Sequence, residues 1–183
     1  MMDTCASSYR RYLSGEEEAF DQIVKELFDP LVFFIDRYVH DLAAAEDIAI
    51  DVFTELIVHK HRYNFKVQLK TYLFMIGRSR ALNWLKHCKR QAEEPLEEAD
   101  VADDRQALEE KVIRSERARL LHAAMDRLPE DMRTALHLVY FEDLSYEETA
   151  KVMKKTKKQV DNLLYRAKTS LRTTLSKEGE LYL

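Results

Sequence analysis

LSYEETAKVMKKTKKQVDNLL, Leu144 to Leu164, is the stretch whose spacing decides the fold. Ser145 with Glu148 three residues on is a capping box, so a helix starts there. It is short: Thr149, Ala150, Val152 and Met153 form its inner side, Lys154 and Lys155 the turn. Thr156 caps a longer helix in which Val160, Leu163, Leu164, Ala167 and Leu171 face inward. Two helices crossing steeply over a tight turn need a small residue where they touch, and Ala150 supplies it. The spacing predicts a helix-turn-helix, with Lys154 standing where glycine usually eases a left-handed turn. The outward side of the second helix then carries Lys157, Lys158, Gln159, Asp161, Asn162 and Tyr165, with Arg166 beside them and Thr156 at its start. In a major groove Asn pairs with adenine, Asp accepts from cytosine and Lys reaches guanine. Lys151, Lys154, Lys155, Lys168 and Arg172 are placed for phosphates. The competing reading is a solvated basic face on an ordinary helical hairpin.

Working outward, Met132, Ala135, Leu136, Val139 and Tyr140 give the preceding helix an apolar face, and Leu128-Pro129 ends the helix before that, which runs from about Glu110 with Val112, Ile113, Leu120, Leu121, Ala124 and Met125. Residues 91–109 hold Pro95 and a run of acids from Glu93 to Glu109, and read as a flexible linker. Residues 1–90 form a first helical domain, starting about Tyr9. Ser14 with Glu16, Glu17 and Glu18 marks the start of its opening helix, with Phe20, Ile23, Val24 and Leu27 at helical spacing. Pro30 is expected to start a second, with Leu31, Phe34, Ile35 and Tyr38 inward. A third begins near Ala44 and buries Ile48, Val52, Phe53, Leu56 and Ile57; a loop from His59 to Val67 holds Tyr63 and Phe65; a fourth helix starts at about Leu69, with Tyr72, Leu73, Ile76, Leu82 and Leu85 along it.

Composition agrees with an all-α chain of two small helical domains, 1–90 and 110–183, joined by an acidic linker. Three Gly and three Pro in 183 residues leave few turn positions, and 34% charged with 46% hydrophobic residues is a globular balance. The absence of an apolar membrane-length run or a signal-peptide core places the protein in the cytosol. Cys5 and Cys88 read as free thiols. The formal net charge of -4 conceals segregation: bases dominate from Lys151 to Arg172 and acids from Glu93 to Glu110. No phosphate-binding glycine loop and no paired metal spacing is present, and His87-Cys88 reads as incidental, so no catalytic residue, metal or cofactor is expected.

At these residues the chain resembles a known family. Leu128 to Tyr140, Leu144 to Ala150 and Val160 to Lys168 look like the C-terminal domain of extracytoplasmic-function (ECF) sigma factors, promoter-specificity subunits of bacterial RNA polymerase. Ala45 to Phe53 is similar to the family's polymerase-binding helix, and Thr71 to Arg78 to its promoter-melting helix. The resemblance implies that Glu46, Asp47, Asp51, Val52 and Phe53 meet the clamp coiled coil of the large catalytic subunit of core RNA polymerase; without it, a solvated acidic helix face is the favoured reading. It also implies that the minus 10 element is taken as single strand by Tyr63, Asn64, Phe65, Lys70, Tyr72, Ser79 and Asn83, with Lys60, Arg62, Lys66, Arg78, Arg80, Lys86, Lys89 and Arg90 around it. Aromatic rings suit an extruded base, although core packing is the plain alternative for Tyr72 and Trp84. The minus 35 element falls to the helix from Thr156. The family often has Trp where Tyr72 stands, Asn for Ser79, Asp for Asn83, a basic residue for Asp161 and Arg for Leu163. Promoter DNA and an anti-sigma factor are the further partners implied. The linker would thread toward the RNA path, or serve only as a tether. Two rivals remain: a dimeric one-component regulator that binds duplex sites alone, and a sigma-like decoy that only holds an anti-sigma partner.

Overall fold

Ser14 and Gly15 close a helix instead of opening one. The computed structural model describes residues 4–92, 121 and 123–180, and its first helix, α1, spans Thr4–Leu13. Ser14 donates its N–H to the Arg10 carbonyl at 3.0 Å and its hydroxyl to the Arg11 carbonyl at 2.7 Å. Gly15 follows at φ 108°, a region glycine enters without steric cost. The inner side of α1 is Cys5, Ala6, Ser8 and Tyr9, mostly small residues that make no obvious apolar stripe.

The expected break at Pro30 is absent. One helix, α2, runs Glu18–Val39 with Pro30 inside it. An interior proline costs about 3 kcal/mol through a lost hydrogen bond and a ring clash. Ile23, Leu27, Leu31, Phe34, Ile35 and Tyr38 are buried on both sides of it, and each such side chain contributes about 1.5–3 kcal/mol. Packing therefore outweighs the break. Helix α3, Leu42–Val58, starts where the Asp41 carboxylate accepts the Ala44 N–H at 3.0 Å. It buries Ala45, Ile48, Ala49, Val52, Phe53 and Leu56, while Ile57, expected inward, is 40% exposed. After a connection at residues 59–68 comes α4, Leu69–Ala92. Helix α2 is the centre of this unit, packed on α1, α3 and α4. Phe34 meets Phe74 at 4.8 Å, and α4 approaches α2 so closely at Gly77 that a Cβ there would lie 2.9 Å from a Leu31 methyl.

The chain divides into two compact units, and the second is the predicted helix-turn-helix. Residues 121 and 123–126 are helical, followed by α5, Glu130–Tyr140, α6, Tyr146–Met153, and α7, Lys157–Glu180. Ser145 forms both halves of its capping box with Glu148. Thr156 and Gln159 form a second reciprocal pair at the start of α7: the Thr156 N–H donates to Gln159 Oε1 at 2.8 Å, and the Gln159 N–H donates to Thr156 Oγ1 at 3.2 Å. Leu128, Met132, Ala135, Leu138, Leu144, Ala150, Val152, Met153, Val160, Leu164 and Ala167 make the core, with Leu163 and Leu171 half-buried at its edge. Tyr140, expected inward, is 49% exposed. The acidic stretch 91–109, apart from the end of α4, and the helix expected from Glu110 to Leu120 lie outside the described residues. Among the described residues there is no strand, and no helix is long and apolar enough to cross a membrane.

Candidate nucleic-acid interface

The turn before α7 sets the orientation of that helix. Lys154 sits at φ 54°, ψ 44°, the left-handed geometry that ends a helix. Its N–H donates to the Lys151 carbonyl and the Lys155 N–H to the Ala150 carbonyl at 2.9 Å, the two bonds of a Schellman motif. With Val160, Leu164 and Ala167 fixed inward, Thr156, Lys157, Lys158, Gln159, Asp161, Asn162, Tyr165 and Arg166 are all exposed. Tyr165 is 73% exposed in the middle of a helix, a placement that contributes nothing to the core.

The surrounding cations are not alike. Lys151, Lys154 and Arg172 are exposed. Lys155 is half-buried and ion-paired to Asp131 of α5 at 2.9 Å, so in this state it braces the turn. Lys157 is paired with Glu147 of α6; their hydrogen bond holds the lysine pKa up and the carboxyl pKa down. The Lys168 ammonium lies over the Tyr140 ring, 5.0 Å from its centroid, and the Tyr140 hydroxyl beside it raises its pKa.

In the first unit the structure separates residues that the sequence groups together. Tyr63 is only 3% exposed and donates its hydroxyl to the Val67 carbonyl at 2.8 Å. Its ring meets Tyr9, Phe65 and Tyr72 at 5.6, 4.6 and 5.1 Å, so it supports the loop from below and offers no open face to a base. Phe65 is half-buried, and Asn64 is exposed, its Oδ1 accepting the Lys66 N–H at 3.1 Å. Lys70, Tyr72 and Ser79 are half-buried along α4, and Asn83 is exposed. Of the cations expected on the strand backbone, Arg80 instead donates to Asp51 at 3.0 Å and Glu55 at 2.8 Å, and Arg62 to Glu55 at 2.8 Å. Arg78 donates to the Tyr38 hydroxyl at 3.3 Å. Lys66, Lys86, Lys89 and Arg90 remain exposed.

On α3 the expected polymerase-facing set divides. Glu46, Asp47 and Asp51 are exposed, but Val52 and Phe53 are 0% and 5% exposed and belong to the core. A helix turns about 100° per residue, so Ile50 lies across from Ile48 and Val52, and it is 53% exposed between Asp47 and Asp51. Counting the helical wheel from Ala45 and Ala49 would have found it.

Two helical units, the second a helix-turn-helix with a basic, groove-sized outward face, define a class of DNA-binding transcription protein. The Sigma-70 region 2 profile matches residues 23–91, inside the first unit, and the Sigma-70, region 4 profile matches residues 118–171, inside the second. RNA polymerase sigma-H factor of Pseudomonas aeruginosa is 30% identical over 170 residues, covering 88% of each chain. ECF RNA polymerase sigma factor SigM of Bacillus subtilis is 24% identical over 158 residues, covering 83% of this chain and 92% of its own. Among solved structures, sigma factor RpoE of Bartonella quintana, crystallised with the anti-sigma factor NepR, has a TM-score of 0.66 at 20% identity and covers 86% of this chain and 96% of its own. The chain belongs to the sigma-70 family and is an RNA polymerase sigma factor of the ECF type.

Proposed function

We propose that this sigma factor binds core RNA polymerase through the exposed side of α3, reads the minus 35 promoter element with the outward face of α7, and takes the minus 10 element as single strand on the 59–68 loop and α4. The observation that carries the minus 35 assignment is α7 itself: a reciprocally capped helix whose exposed side joins Lys158, Asn162, Tyr165 and Arg166. That set suits base edges and phosphates together. Glu46, Asp47, Ile50 and Asp51 suit the clamp coiled coil of the large catalytic subunit, an acidic and apolar surface better fitted to protein than to DNA. Residues 91–109 would tether a domain at 1–90 to one at 110–183. The protein works in the cytosol. An anti-sigma factor is its natural regulator, and exposed Phe33, Ile57 and Val58 on the first unit and Phe141 on the second offer such a protein apolar footing.

Run-off transcription with purified core polymerase on a genomic fragment library, with and without the chain, tests the assignment. Chain-dependent start sites are expected; none from any fragment would sink it. Lys158→Glu with Arg166→Glu should abolish promoter use and leave core binding intact, since both residues are exposed on α7. Tight binding of the free protein to duplex promoters without polymerase would favour a one-component regulator instead.

A further inference from the structure

The region 2 profile begins at residue 23, so α1, Thr4–Leu13, lies ahead of it. Yet α1 is joined to the last turn of α3 and to the loop that follows it through Tyr9, Arg10 and Tyr12. Tyr9, 0% exposed, donates its hydroxyl to the Leu56 carbonyl at 3.0 Å, with the Lys60 carbonyl 3.1 Å away, and so binds the last turn of α3 and the start of the loop. Its ring meets Tyr63 at 5.6 Å and Phe65 at 6.2 Å. Lys60 lies over Tyr12 at 4.6 Å, and the Arg10 guanidinium lies over the Phe65 ring at 4.7 Å.

Phe65 is the singular residue of the loop. It is half-buried and held at φ 60°, where a bulky side chain is strained. Strain of this kind persists when the surroundings impose it, and it gathers where binding occurs. Tyr63 and Tyr9 hold the ring from the protein side, and exposed Arg10 covers it with a planar cation. A guanidinium stacks on an aromatic face much as a nucleobase does, and it binds phosphate by paired hydrogen bonds. A base that displaces Arg10 from the ring therefore leaves the cation beside its own phosphate.

We propose that α1 is part of the single-strand site and that Arg10 contacts the DNA: its guanidinium yields the Phe65 face to an extruded base of the minus 10 strand and takes the flanking phosphate. This rests on the assignment of the 59–68 loop to the minus 10 element.

The test uses holoenzyme assembled from core polymerase and the full chain, with a fluorescent single-stranded oligonucleotide carrying the minus 10 sequence of a promoter recovered by run-off. Arg10→Ala should weaken binding and make the log–log salt dependence shallower by about 0.7, the loss of one phosphate contact to a single strand. Arg10→Lys should keep the slope. Phe65→Ala should weaken binding roughly fivefold or more, the least expected for one lost base–aromatic stack, without changing the slope. Holoenzyme binding to a minus 35 duplex should be unchanged in all three. Arg10→Ala with unaltered affinity, or with weakened affinity at an unaltered slope, would overturn the role of Arg10 as a DNA contact. Failure of the wild-type holoenzyme to hold the oligonucleotide would overturn the loop assignment, and with it this proposal, and is recognised by the wild type failing too.

Discussion

Lys154 shows how one residue can serve two demands. The turn requires φ 54° there, which costs a non-glycine residue about 1–2 kcal/mol, while glycine would lose about 0.5–1 kcal/mol more in chain entropy on folding. Lys154→Gly should therefore stabilise the second unit by about 0.5–1 kcal/mol, seen as a higher urea midpoint at unchanged m-value. Lys154 is exposed, so no packing is lost with it. A lower midpoint would mean that its aliphatic stem braces the turn. A lysine at a strained position beside α7 adds positive charge to the face proposed for DNA, which a glycine there would not.

At the scale of elements, Glu55 ties α3 to α4 and to the loop. It accepts from Arg80 and Arg62, both at 2.8 Å. The Arg80 hydrogen bond, helped by the one from Arg62 and opposed by partial burial, holds its carboxyl below the usual range. A depressed folded-state pKa stabilises the fold fully above the unfolded value of about 4.3, and this contribution fades as pH falls through the folded value. The stability difference between wild type and Glu55→Gln should thus be largest near about pH 6 and shrink toward about pH 3, measured by urea unfolding across that window. A gap independent of pH would mean that shape, not charge, makes the contact. Because Arg80 is committed to this network, it serves the placement of the loop better than the DNA backbone.

For the molecule as a whole, segregation of charge matters more than the sum of -4. The exposed side of α3 sets the acids Glu46, Asp47 and Asp51 around apolar Ile50, whereas α7 is basic. That contrast supports the proposal of one surface for protein and another for nucleic acid. Ile50→Glu should weaken core binding by at least tenfold, about 1.4 kcal/mol, in a competition assay against labelled wild-type chain. Its thermal midpoint should barely move, because Ile50 is 53% exposed. Unchanged core affinity would place the polymerase contact elsewhere on the first unit.

The sequence by itself determined the helix-turn-helix, because capping boxes and helical periodicity are local: Ser145, Glu148, Thr156 and the inward Val160, Leu164 and Ala167 stand where their spacing puts them. The exposed face of α7 was legible for the same reason, and the two-unit organisation from the acidic stretch around Pro95 that interrupts the helical pattern. Tertiary structure alone decided the continuity of α2 through Pro30, where burial on both sides overrides a local break. It also decided that Tyr63 belongs to the interior, and that Val52 and Phe53 serve only the core stripe of α3 and not the outward patch beside Asp51, since periodicity marks a stripe but not which neighbour covers it. The commitment of Arg80, Arg62 and Lys155 to carboxylates on other segments was hidden as well. Ion pairs between residues distant in sequence, like the contact of Arg10 with Phe65 across 55 positions, exist only once the chain has folded back on itself.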